Sequence, residues 1–190
     1  MPRWESDAQG RLERAALELF ERQGFERTSV AQIARAAGLT ERSFYRYFPD
    51  KREVLFAGRE LEAHLVAQVE AADPDLTPFE TLLAALGTAD EIFRPRTFLL
   101  RRATVIAANP ALAERDLIKL ADIADALTRA LERRGVEPGQ ARFIIDVAIA
   151  ISRRATSRWL ADPDATFSEL VAQAAAELGE AVTPPAPTVR

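Results

Sequence analysis

Residues 28–51 read TSVAQIARAAGLTERSFYRYFPDK, and this stretch predicts two short helices joined by a tight glycine turn. Ser29 followed three residues later by Gln32 fits a capping box, so the first helix should begin at Val30. Ile33, Ala34 and Ala37 give that helix its inward face. Gly38 can end it in a left-handed conformation that other residues resist. Thr40 then caps a second helix, which carries Phe44 and Phe48 inward, four apart. Ala34 and Gly38 are small where the two helices are expected to cross closely. The pattern is a helix-turn-helix, which places its second helix in a DNA major groove. A helical hairpin packing for its own sake accounts for Ile33, Phe44 and Phe48. It gives no reason for two tyrosines and two arginines on so short a helix.

From Leu12 to about Leu55 the chain resembles the DNA-binding domain of TetR/AcrR-family transcriptional regulators. The resemblance lies in ALELFERQGFERTSVAQIARAAGLTERSFYRYFPDKREVL, residues 16–55. Its order is an amphipathic helix, Gly24-Phe25, a Thr-Ser cap, Ile-Ala, Gly-Leu-Thr, then Phe-Tyr and Phe48 followed by Lys51. A lone helix-turn-helix is a weak signal, whereas this whole ordered series is specific.

Composition agrees. The 190 residues include 11 prolines, which sit at segment edges such as Pro74, Pro78, Pro95, Pro110, Pro138 and Pro163. Few β-branched runs alternate with period two, so an all-α fold of about nine helices is expected. There is no cysteine, which excludes disulfides and thiolate metal sites. No N-terminal charged-then-apolar signal stands out, and no apolar run approaches the ~20 residues of a membrane span. A cytoplasmic protein is expected. The net charge of -4 is unevenly spread: residues 1–52 hold 10 Lys+Arg against 8 Asp+Glu, and the remainder 15 against 21. Arg42, Arg46, Lys51 and Arg52 crowd around the second helix of the motif, and local charge sets attraction to phosphates.

A first helix is predicted from Asp7 to Gln23, with Ser6 and Gln9 as a possible capping box. Its stripe is Leu12, Ala15, Ala16, Leu19 and Phe20. A long fourth helix is expected from Lys51 to about Ala72. Others follow at 78–88, 95–109, 111–134, 138–161 and 166–182, with Leu117, Leu120, Ala124, Leu127 and Leu131 as a bundle seam. Three domains are thereby expected: a helix-turn-helix domain at 1–52, an effector-binding and dimerisation bundle at 53–183, and a disordered tail at 184–190.

The run FIIDVAIAI, residues 143–151, is apolar almost all round and needs cover on more than one side. The cover is either the centre of a monomeric bundle or a partner subunit. Ile145, Ile149, Leu170 and Leu178 lie on apolar faces that suggest the partner. The resemblance implies the same, an isologous homodimer joined through the last two helices. Two recognition helices would then read a palindrome whose half-sites lie whole turns apart, ~34 Å each.

Carried onto these positions, the family pattern points Thr40, Glu41, Arg42 and Ser43 toward base edges. Arg42 is the candidate for bidentate guanine readout. Glu41 either accepts from a cytosine amino group or pairs with Arg42. Tyr45 and Tyr47 match positions that contact phosphates or thymine methyls. Ser29 and Lys51 match phosphate contacts, and Arg46 reaches backbone or base. Ala31 departs from members with a basic base-reading residue there, which places more of the specificity on Arg42.

The resemblance also implies a small apolar or amphipathic effector bound in the larger domain, which releases a repressor from its operator. The candidate pocket residues are Leu61, His64, Leu65, Phe93, Phe98, Arg102, Phe143 and Trp159. The segment FRPRTFLLRRATVIAANP, residues 93–110, sets four arginines among apolar residues. It resembles a subgroup of actinobacterial TetR-like regulators, including the mycofactocin-system regulator, in which acyl-CoA effectors are known. Two readings stand: Arg94, Arg96, Arg101 and Arg102 serve a ligand with a phosphate head, or they pair with Asp116, Glu114 and Glu91. No enzyme is expected and no cofactor. One histidine and no cysteine leave the usual catalytic triads and two-histidine metal sites unsupported. The alternative function is an effector-independent DNA-binding protein that acts through protein partners.

Overall fold

The computed structural model describes residues 8–56 and 60–182. Nine α-helices and no strand occur among the described residues. In chain order they are α1 (Ala8–Gln23), α2 (Val30–Ala36), α3 (Glu41–Tyr47), α4 (Glu60–Ala71), α5 (Pro78–Gly87), α6 (Arg96–Ala107), α7 (Pro110–Arg133), α8 (Pro138–Ala161) and α9 (Phe167–Val182). Short 3-10 turns occupy Glu53–Leu55 and Ala89–Glu91. The all-α expectation holds. The Ser6–Gln9 cap and the 184–190 tail lie outside the described residues.

One expected element is corrected. The fourth helix does not begin at Lys51. Asp50 Oδ1 accepts the backbone N–H groups of Arg52 (2.7 Å) and Glu53 (3.2 Å), which folds the chain into a tight Asx-type turn. A single 3-10 turn follows, and Phe56 leaves helical geometry at φ -116°, ψ 9°. Residues 50–56 form a compact turn, and the next described helix is Glu60–Ala71.

The chain divides into two units, each discontinuous in sequence. The first is Met1–Gly58 with Pro95–Leu120. It is therefore wider than the 1–52 segment expected to form the DNA-binding domain. The reason is apolar: Phe98, Val105, Ile106 and Leu112 share a single buried cluster with Leu12, Phe20, Ile33, Phe44, Phe48 and Phe56. The α6 segment thus completes the core under the helix-turn-helix, and α1 packs on α2, on α6 and on the 3-10 turn.

The second unit is Arg59–Arg94 with Ala121–Arg190. Its main contact is the α8–α9 hairpin, and α5 packs on both helices. Two dimer expectations are corrected here. Ile145 is 0% exposed and Leu170 6%, so the chain's own helices already cover them. Leu178 is exposed as expected, and the outward faces also carry Phe143 and Ala150 on α8, with Ala172 and Ala176 on α9. The bundle seam along α7 is also shorter than its spacing suggested. Ala124, Leu127 and Leu131 are buried, whereas Leu117 is 62% exposed.

Candidate nucleic-acid interface

Every local device expected in the helix-turn-helix is present. Ser29 caps α2, its Oγ accepting from Gln32 N at 3.2 Å while Gln32 Oε1 accepts from Ser29 N at 2.8 Å. Gln23 reinforces that cap from the end of α1: its Nε2 donates to Thr28 Oγ1 and to Gln32 Oε1, each at 3.2 Å. Gly38 has φ +67°. Its N–H donates to Arg35 O and the N–H of Leu39 to Ala34 O, the paired bonds of a Schellman stop. A Cβ on Gly38 would meet nothing nearer than Arg11 Nη1 at 3.9 Å. Conformation, not close helix crossing, therefore requires this glycine.

Thr40 caps α3, accepting from Ser43 N at 3.2 Å, and its hydroxyl lies 3.0 Å from that of Ser43. Phe44 and Phe48 anchor the helix from below, with ring centroids 5.2 Å apart. The opposite face presents Glu41, Arg42, Tyr45, Arg46 and Tyr47 to solvent, with Tyr45 55% exposed. A buried aromatic keel fixes the rotation of α3 and so determines which side chains face outward.

The four cations near α3 differ in what they do. Among the described residues neither Glu41 nor Arg42 has a hydrogen-bond or ion-pair partner, so they do not pair with each other. Arg46 Nη2 donates to Tyr47 Oη at 2.9 Å, and its guanidinium lies 4.9 Å from the Tyr47 ring centroid. Lys51 Nζ donates to Phe25 O at 2.7 Å and sits 4.1 Å from the Phe25 ring centroid. It clasps the chain after α3 to the loop after α1. Arg52 pairs with Asp50 at 3.0 Å, and that hydrogen bond raises its pKa first of all. Burial works to raise the Asp50 carboxyl, but hydrogen bonds from Arg52 and Glu53 outweigh it and leave the pKa lowered.

The eight candidate ligand residues are divided between the units. Phe98 and Arg102 belong to the first, the other six to the second. Phe98 is plain core. Arg102 donates from Nε to Leu55 O (2.7 Å) and from Nη2 to Asp116 (3.0 Å). Burial pulls its pKa down, with Asp116 opposing. Arg101 forms a bidentate pair with Glu21. Its hydrogen bond is the main reason the Glu21 carboxyl is lowered. For these two arginines the pairing reading therefore holds, with Glu21 as a partner the sequence did not suggest. Phe143 is 69% exposed. Leu65 is buried and Leu61 half-buried. Phe93, Trp159 and Phe167 pack as a tilted and edge-to-face triplet, with centroids 5.0–6.1 Å apart. His64 Nε2 lies 2.8 Å from Thr88 Oγ1, and that hydroxyl donates to Ala85 O. A hydroxyl has one proton, so the imidazole Nε2 is the donor. An open cavity of about 480 Å³ lies in the first unit, lined by Phe20, Glu21, Gly24, Phe25, Thr104, Val105, Ala108 and Asn109. None of the eight candidates lines it.

A helix-turn-helix that exposes tyrosines and arginines above an aromatic keel defines a DNA-binding regulator. Residues 13–57 match the family described as bacterial regulatory proteins, tetR family, a match that spans the helix-turn-helix and the turn after it. It is similar to the HTH-type transcriptional regulator TcmR of Streptomyces glaucescens, 27% identical over 173 residues that cover 84% of this chain and 76% of that one. It also resembles a protein described as the mycofactocin biosynthesis transcriptional regulator MftR of Mycobacterium tuberculosis, 25% identical over 164 residues, 84% of this chain and 83% of that one. Among solved structures, Thermus thermophilus FadR, a TetR-family repressor in complex with lauroyl-CoA, superposes with TM-score 0.56 at 25% identity. That match covers 96% of this chain and 98% of FadR. No described helix is long and apolar enough to cross a membrane.

Proposed function

We propose that this chain is a cytoplasmic repressor that binds a two-fold symmetric operator as a homodimer and leaves it when a small apolar or amphipathic effector binds. The observation that carries the DNA-reading part is the outward face of α3, where Arg42 stands unpaired among the described residues beside exposed Glu41 and Tyr45. Ser29, Thr40, Ser43, Arg46, Tyr47 and Lys51 surround it as phosphate contacts or as supports of the helix. Dimerisation is supported by exposed Phe143 and Ala150 on α8 and by exposed Ala172, Ala176 and Leu178 on α9. The segment 53–183 supplies that face and the effector site. The lauroyl-CoA bound by FadR makes an acyl-CoA-like effector the first to try.

Selecting duplexes from random sequence with the wild-type protein tests the first part. The expected product is a palindrome with half-sites whole turns apart. Effector control is tested by linkage: a ligand that weakens operator binding ~5–150-fold must itself be weakened by the same factor at saturating operator. Equal effector affinity with and without operator would exclude allosteric release. The alternative, a DNA-binding protein that acts through protein partners without an effector, is favoured by one observation. Arg102, His64 and Trp159 are each engaged in contacts of their own.

A further inference from the structure

The densest cluster of charge in the first unit lies beyond the recognition helix. Glu53, in the 3-10 turn, accepts a bidentate pair from Arg115 of α7, through Nε and, at 3.0 Å, through Nη2. Arg102 of α6 donates to Leu55 O in the same turn and to Asp116 of α7. The two guanidiniums lie 4.8 and 5.8 Å from the centroid of the Phe56 ring. Side chains of Arg102, Arg115 and Glu53 are only 22%, 20% and 21% exposed. Exposed ion pairs contribute little. Forked, largely buried ones impose geometry, because breaking one leaves a charge without its partner.

The location gives the cluster its meaning. The recognition helix ends at Tyr47, and the clamped turn begins six residues later at Glu53. Pro49 and the Asp50 turn leave little slack between them. Residues from α6 and α7, roughly fifty to sixty positions further along the chain, grip both the carboxylate and a backbone carbonyl of that turn.

We propose that Arg102 and Arg115 are positioning residues for DNA recognition, holding the Glu53–Phe56 turn and thereby the exit of α3 in the DNA-reading position. This rests on the reading of α3 as the recognition helix. Neither arginine touches DNA in this role; each acts through the turn. The rival role for two arginines in a DNA-binding unit is direct phosphate contact. Substitutions that keep or increase positive charge separate the two.

Arg102→Lys retains the charge, but an ammonium cannot offer the planar fork that serves Leu55 O and Asp116 together. Glu53→Gln removes a negative charge, so electrostatics alone should tighten binding to any DNA. Positioning demands the reverse: both full-length variants should bind a wild-type-selected operator roughly 5-fold or more weakly. Random duplex should be less affected, and the slope of affinity against salt should not change. The exchange Glu53→Arg with Arg115→Glu should recover part of the loss. Anisotropy titrations at several salt concentrations read these effects, with thermal unfolding followed in parallel. Operator affinity that is unchanged or tighter in both variants would overturn the proposal. So would losses equal on operator and random DNA with a flattened slope, or losses that only track the unfolded fraction. If the clamp fails, the wild-type preference for its operator remains. If wild-type protein shows no such preference, the recognition reading itself has failed and the clamp falls with it.

Discussion

Arg42 carries a planar guanidinium on the outward face of α3, two residues before Phe44 anchors that helix in the core. Its position is fixed by packing while its fork is left without an internal partner among the described residues. Those are the two requirements of a base-reading side chain. Arg42→Ala should relax specificity by about 1–3 kcal/mol between operator and random duplex; equal losses on both in a gel-shift titration would remove the base-reading role. Lys51 is a different case, because one of its three donor hydrogens is already spent on Phe25 O. Two remain for phosphate. Lys51→Ala should weaken operator and random DNA alike and reduce the salt slope by about one ion. It should also destabilise the first unit by about 1–2 kcal/mol, from the lost carbonyl bond and ring contact. An unchanged Tm would mean the clasp contributes nothing. The family pattern already assigned Arg42 to base readout and Lys51 to phosphate, but it could not say which of these cations the fold itself engages. That depends on whether Asp50, Tyr47 and Phe25 O lie within reach, which only the fold determines.

At the scale of elements, legibility followed distance along the chain. The caps at Ser29 and Thr40 and the stop at Gly38 are local devices, formed among residues within five positions of one another, and each was readable. Gly38→Ala tests the stop: with open space around the Cβ, the expected loss of about 1–2 kcal/mol comes from the left-handed backbone alone. Denaturant unfolding measures it, and a neutral substitution would mean the turn relaxes to another conformation. The helix expected from Lys51 failed for a reason equally local, since Asp50 captures the N–H groups of Arg52 and Glu53 and tightens the chain there. Contacts such as Arg101 with Glu21, or Arg115 with Glu53, join residues 80 and 62 positions apart. No periodicity reports such pairs. For that reason the part α6 plays under the helix-turn-helix could not be read in advance.

At the scale of the whole molecule, one recognition helix contacts too few base pairs to select an operator, so a second copy must supply the other half-site. The apolar face expected to meet that copy comprises Ile145, Ile149, Leu170 and Leu178, and an all-round apolar helix does not reveal which side its own bundle covers. With Ile145 and Leu170 buried, the exposed apolar and small residues of the hairpin include Phe143 and Ala150 of α8 and Ala172, Ala176 and Leu178 of α9. Small residues let two helices approach closely, and a stable pair needs about 800 Å² buried on each partner. Ala176→Arg therefore probes this surface. The position is exposed within one chain, and arginine is a good helix former, so the monomer fold should tolerate it. In a closely packed four-helix contact, a charged side chain on each side of the two-fold axis should not fit. Light scattering should find the variant monomeric at micromolar concentration where the wild type is dimeric, with the thermal transition of the helical fold retained. Operator affinity should fall by ~10²–10⁴, the advantage that linking two half-site contacts provides. A wild-type monomer, or a variant that remains dimeric and binds the operator undiminished, would remove α9 from the interface and require another surface to join the recognition helices.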